Sequence, residues 1–244
     1  MCPPEVLNQD LHGRRVIVTG ANSGIGFVTA KQLAKQGASV TLACRNKEEG
    51  RARADEIRAE FPDADLEVRK LDLGDLSSVR AFAAGYLCDH DSLHLLINNA
   101  GVMNTPQGKT VDGFETQIGV NHLGHFLLTE LLLDTLKKSA PARVVVLSSC
   151  YHDKAMGREG VIVLDDLHFE NRKYDGWVSY AQSKLANLLH AKQLAKRLEG
   201  TGVTAVSVHP GWVRTELMRH TMPAWMQSMT RPILRMMGMV EPWE

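Results

Sequence analysis

Tyr180 and Lys184 stand four positions apart in Tyr180-Ala181-Gln182-Ser183-Lys184, a segment patterned as a helix. That spacing puts a phenol and an ammonium on one helix face. A free tyrosine titrates near about 10, and a neighbouring ammonium favours the phenolate, bringing the group toward use as an acid or base at neutral pH. Many helices carry Tyr-x-x-x-Lys by chance, so the pair gains meaning only from its surroundings. Upstream, the run Arg143-Val144-Val145-Val146-Leu147 ends in Ser148-Ser149-Cys150. A hydroxyl at a strand end can hold a substrate oxygen, or be an ordinary strand-end serine.

Near the start, Arg15-Val16-Ile17-Val18-Thr19 runs into Gly20-Ala21-Asn22-Ser23-Gly24-Ile25-Gly26. Glycines at a strand-to-helix junction permit the turn and let backbone N–H groups approach a pyrophosphate, which the helix N-terminus also attracts. The alternative is a turn in which glycine only relieves strain. The next apolar run ends Ala43-Cys44-Arg45-Asn46, with no acid between Leu42 and Asn46. An acid at this distance binds the ribose hydroxyls of NAD, whereas an arginine pairs with a 2′-phosphate, so Arg45 points to NADP(H). Asp72, beside Leu73, could bind the adenine amino group or cap a turn before Gly74.

These residues need strands that end together. Short apolar runs at 15–19, 38–43, 65–71, 93–97, 143–147 and 203–208 alternate with helical patterns to about Gln36, then at 47–60, 76–87, 112–138 and 178–198. The 112–138 helix is expected to bend near Gly119 or Gly124. Apolar strands between longer helices imply a parallel sheet covered on both faces, a doubly wound α/β fold. In such sheets ligands sit outside the carboxyl ends of the strands. No repeat or linker divides the 244 residues.

Composition narrows the classes. Lys and Arg number 28, as do Asp and Glu, so no basic excess points to nucleic acid. Cys2, Cys44, Cys88 and Cys150 show no Cys-x-x-Cys spacing, which suits a reduced, intracellular chain without a disulfide framework or zinc cage. No apolar run reaches the ~18 residues of a membrane span. His122 and His125 lack a third ligand and zinc spacing, so they read as helix surface or satisfied core groups, and no metal is expected.

Together, Thr19-Gly20-x-x-x-Gly24-x-Gly26, Asn98-Asn99-Ala100-Gly101, Asn121, Ser149, Tyr180-x-x-x-Lys184 and Pro210-Gly211 resemble the short-chain dehydrogenase/reductase family from about Gly13 to Thr215. Ala43-Cys44-Arg45, Asn121-His122-Leu123-Gly124-His125-Phe126, Asp165-Asp166-Leu167 and Arg214-Thr215-Glu216-Leu217 are similar to its retinol dehydrogenase-like branch, which includes the oxidoreductase domain of the WW-domain oxidoreductase. The resemblance implies a single Rossmann-like catalytic domain over 1–244. Tyr180 would be the acid/base, Ser149 would bind the reacting oxygen, and Lys184 would hold the nicotinamide ribose and depress the Tyr180 pKa. Asn121 would anchor a water linking Lys184 to solvent. Gly20, Asn22, Ser23, Gly24, Ile25, Gly26, Arg45, Asp72, Leu73, Asn98, Ala100, Gly101, Pro210, Gly211, Val213 and Thr215 would line NADP(H), alongside Tyr180 and Lys184. The implied reaction interconverts a lipophilic alcohol and its carbonyl, retinoid, steroid or xenobiotic. A dimer through the two long helices is implied as well.

Between Ser149 and Tyr180 the chain is charged and irregular, either a rim over the site or a plain surface loop. Seven of the ten methionines lie from Met218 onward. Residues from about 210 to 244 are expected to form a lid for an apolar substrate, a helix-packing surface, or an amphipathic stretch touching an intracellular membrane. The family's further helix and seventh strand do not follow Trp243-Glu244. A shortened form is therefore expected, with 203–208 as an exposed sheet edge, marginal in stability unless a partner covers it. Weak activity or a binding role is the alternative function that this implies.

Overall fold

The computed structural model describes residues 4–153, 160–211 and Val213. Six strands form one parallel sheet in the order β3-β2-β1-β4-β5-β6. They are β1 Arg15–Thr19, β2 Ser39–Cys44, β3 Leu66–Lys70, β4 Leu95–Asn98, β5 Ala142–Leu147 and β6 Val203–Val208. The helices are α1 Pro4–Leu7, α2 Gly24–Lys35, α3 Lys47–Glu60, α4 Leu76–Asp89, α5 Thr116–Ile118, α6 Gly124–Lys138 and α7 Gly176–Arg197. Val16, Ile17 and Val18 pair with Val40, Thr41 and Leu42 on one side and with Leu95, Leu96 and Ile97 on the other. A central strand covered on both faces must be apolar at successive positions, which is why these runs do not alternate. The strand order reverses between β1 and β4, and a crevice opens at their carboxyl ends.

The two faces are packed differently. On one, Val79, Phe82 and Tyr86 of α4 meet Leu128, Leu132 and Leu136 of α6 and Leu194 of α7. On the other, Ala30 and Ala34 of α2 and Ala54 and Ile57 of α3 cover Val16, Val18, Val40 and Leu42. The doubly wound α/β fold expected from the sequence is the fold observed, and most element boundaries shift by one or two residues, as frayed ends do.

The long helix is the main difference. It does not begin at 112. Glu115 is its N-cap, its buried carboxylate accepting from the backbone N–H groups of Gln117 and Ile118. The expected bend is a π-helical turn, Gly119–Leu123, between α5 and α6. Among the described residues β6 pairs only with β5, and Val206 and Val208 are partly exposed. The expected lid, with Thr215, lies outside the described residues apart from Pro210, Gly211 and Val213. No helix among the described residues is long and apolar enough to cross a membrane.

Leu132 is fully buried, whereas Leu189 on α7 is 47% exposed. Leu132→Ala is expected to lower unfolding free energy by about 2–5 kcal/mol, and Leu189→Ala by less than about 0.5 kcal/mol. Denaturant titration of both variants checks the assignment of the core face.

Candidate active site

The π-helical turn creates a polar junction. The Asn121 carbonyl accepts from His125 Nδ1 at 3.0 Å and from Asn187 Nδ2 at 3.1 Å. Because Nδ1 must donate there, Nε2 of a neutral His125 is an acceptor, and it takes the Thr19 hydroxyl proton at 2.8 Å. Thr19 Oγ1 in turn accepts from the backbone N–H groups of Asn99 and Ala100, both at 2.9 Å. Asn99 Nδ2 donates to the Thr19 carbonyl at 2.7 Å. The ends of β1 and β4 and the π turn are thus one network. His125 is 1% exposed, and burial pushes its pKa down to about 3, so it stays neutral.

Above this junction lies a cavity of about 550 Å3 along the carboxyl ends of the strands. Its floor needs glycine. A Cβ on Gly26 would lie 2.4 Å from both Asn99 Nδ2 and the Gly20 carbonyl, and one on Gly20 would lie 3.0 Å from Ala100. Gly20, Asn22, Ser23, Gly24, Ile25 and Gly26 line the cavity with Arg45, Asp72 and Leu73. Ala100, Gly101, Tyr180, Lys184 and Pro210 complete the expected set there. Asp72 accepts from the Gly74 backbone N–H at 2.9 Å, so its turn-capping role is real.

Other expected residues lie elsewhere. Asn98 is 1% exposed, donates to Thr129 Oγ1 at 2.9 Å and does not line the cavity; its neighbour Asn99 does. The strand's alternation turns one asparagine inward and presents the next. Asn121 sits behind the wall: Oδ1 accepts from Val102 N–H at 2.8 Å, and Nδ2 donates to the Val102 carbonyl and to Ser183 Oγ, each at 2.9 Å. Gly211 is exposed and Val213 half-buried, and neither lines the cavity.

Tyr180 and Lys184 meet at the inner end. The Lys184 ammonium lies 5.5 Å from the centre of the Tyr180 ring and donates to the Leu147 carbonyl at 3.1 Å. Asn187 Nδ2 donates to that same carbonyl at 3.0 Å. Both Tyr180 and Lys184 are almost fully buried. Burial pushes the lysine down to about 8. It raises the Tyr180 phenol above its ordinary value, while a hydrogen bond from Ser149 pulls the other way. The expected depression of the phenol by Lys184 does not appear: desolvation raises the phenol, only Ser149 lowers it, and it is protonated at neutral pH. Ser148 Oγ is committed to the Lys184 carbonyl at 2.7 Å, leaving Ser149 as the serine that reaches Tyr180.

Described residues between Ser149 and Tyr180 pack against Tyr180 and α7. Tyr151 stacks on Trp177 with ring centres 5.2 Å apart and meets Tyr180 edge-on at 5.7 Å. Arg172 Nη2 donates to Gln182 Oε1 at 3.0 Å, fastening the segment to α7. Asn187 is the contributor that motif reading missed, while the reading of His125 as a satisfied core group matches its two hydrogen bonds. Positions 180, 184 and 187 share one helix face, which is the signal that could have found Asn187.

His125 gains a proton on unfolding, because its folded pKa lies far below the ordinary 6.5. Its contribution is complete above about pH 6.5 and falls as pH drops toward its folded value. His125→Gln is expected to remove about one proton from the uptake on unfolding between about pH 6 and about pH 4, read from the slope of stability against pH. An unchanged slope would contradict the buried neutral imidazole.

Comparison with known proteins gives the ancestry. The family model for short chain dehydrogenase matches residues 14–161. The chain is 55% identical over 214 residues to "Retinol dehydrogenase 12" of Homo sapiens, covering 88% of this chain and 66% of that protein. It thus spans just under two thirds of that relative's length. A crystal structure of an uncharacterised protein from Mycobacterium paratuberculosis shares 47% identity at a TM-score of 0.74, covering 84% of this chain and 70% of that one. The RhlG/NADP active-site complex of Pseudomonas aeruginosa shares 26% identity at a TM-score of 0.71, covering 91% and 82%. The chain belongs to the short-chain dehydrogenase family, in its retinol dehydrogenase-like branch.

Proposed function

We propose that this chain is an NADP(H)-dependent oxidoreductase that interconverts a lipophilic alcohol and its carbonyl, with a retinoid-like molecule as substrate. One observation carries the reading: a protonated, buried Tyr180 beside a buried Lys184, at the inner end of a glycine-floored cavity whose outer end carries Arg45. The tight Gly20–Gly26 floor fits a dinucleotide, because Ser23, Gly24 and Ile25 at the α2 N-terminus line the cavity, and a helix N-terminus favours a pyrophosphate. Arg45 makes no hydrogen bond or ion pair among the described residues, which leaves its guanidinium free for a 2′-phosphate. The NADP complex of the 26% identical RhlG supports the cofactor class.

When bound, the nicotinamide supplies or accepts the hydride. The protein's own groups handle the proton. Tyr180 donates from its phenol to a carbonyl oxygen, or takes the proton back from an alcohol, and Ser149 fixes that oxygen beside it. Lys184 uses one N–H on the Leu147 carbonyl and keeps the others for ribose hydroxyls. Its positive charge offsets the phenolate left when the proton departs. The name of the 55% identical relative supports a retinoid. So does the Tyr151–Trp177 stack with Met103 beside Tyr180, an apolar surface suited to a flat chain.

Tyr180→Phe removes only the hydroxyl. Turnover of retinal with NADPH should fall by at least about 10²-fold, while NADPH binding followed by fluorescence stays close to wild type. Turnover retained in this variant would refute the assigned role.

A further inference from the structure

The outer end of the cavity holds an acid as well as Arg45. Glu49 lines the same wall as Arg45, Asn46 and Asn22. Both of its carboxylate oxygens are held: Asn22 Nδ2 donates to Oε2 at 2.9 Å and Asn46 Nδ2 to Oε1 at 2.8 Å. Asn46 is also the N-cap of α3, its Oδ1 accepting from the backbone N–H groups of Glu48 and Glu49. The helix N-terminus favours an acid there, and the cap fixes where its side chain stands. Neighbouring charges are occupied elsewhere: Arg53 pairs with Glu56 at 2.6 Å while its Nε donates to the Asn22 carbonyl. Glu48 faces Arg51 at 3.9 Å.

We infer that Glu49 is a specificity-determining residue that opposes the 2′-phosphate Arg45 attracts, holding down the preference for NADP(H) and keeping NAD(H) competent. A phosphate monoester carries about −1.5 to −2 charges at neutral pH, so a fixed carboxylate in the same mouth repels it. The same carboxylate can accept from the free 2′-hydroxyl of NAD(H), as acids near the second strand do in dinucleotide sites. Arg45 and Glu49 therefore pull the two cofactors in opposite directions. The inference rests on the dinucleotide site proposed above.

The test is the ratio of NADPH to NADH affinity, measured by calorimetry on the full chain, its Arg45→Gln variant and its Glu49→Gln variant. Glu49 is exposed, and glutamine keeps an oxygen acceptor, so folding is not at stake. Glu49→Gln should raise the ratio about tenfold at low salt, and less at high salt where exposed charges are screened. Arg45→Gln should lower it. If both nucleotides bind and Glu49→Gln leaves the ratio unchanged or lower, the inference is overturned and the site reading survives. If neither nucleotide binds the wild-type chain, both fall together.

Discussion

A single buried imidazole ties the end of β1 to the π turn beneath the cavity. His125 receives the Thr19 hydroxyl proton on one side and donates to the Asn121 carbonyl on the other. Thr19 carries the glycine-rich turn, Asn99 and Ala100 end the neighbouring strand, and Asn121 sits in the π turn behind the catalytic helix. Thr19, Asn121 and His125 are fully buried, where an unmatched polar group costs far more than a made bond returns, while Asn99 and Ala100 are half-buried at the cavity. The network is thus all-or-none, and it fixes the floor and the back wall of the cavity relative to each other. The π turn is part of the device, since it carries the Asn121 carbonyl that both His125 and Asn187 donate to.

Burial then sets the chemistry. Desolvation moves Tyr180 and Lys184 toward their neutral forms, the phenol up and the ammonium down. With the phenol raised and the lysine at about 8, both groups still hold their protons at neutral pH, and the lysine can lose its proton more readily than in water. A protonated phenol beside an under-partnered ammonium is a poor resting arrangement and a good one for receiving an oxygen that is about to become an alkoxide. Stability is lost at such a place because the fold needs neither group to be buried. The aromatic surface of Tyr151 and Trp177 extends the same dry environment outward.

Much of this was legible in the residues. Strands buried on both faces carry unbroken apolar runs, so all six were read within two residues at either end. The juxtaposition of Tyr180 and Lys184 was readable because residues four apart share one helix face. What failed did so for physical reasons. The long helix was started too early because its apolar pattern continues through the turn before Glu115, and only the carboxylate cap marks the true start. Asn98 was placed on the wrong side because period-two alternation was not applied at the strand's last residue. The Tyr180 shift was misjudged because a charge pair is visible in spacing and desolvation is not. Glu49 was passed over because the search for an acid stopped at the strand end, whereas the first turn of α3 brings residue 49 back to the same wall.

The central claim is that the cavity joins a nicotinamide dinucleotide to an apolar carbonyl at Tyr180. The most direct measurement mixes the purified chain with NADPH and retinal and follows nucleotide oxidation and alcohol formation together. The account predicts that both proceed one for one. Tight NADPH binding with no oxidation in the presence of retinal or of any other apolar aldehyde would contradict it.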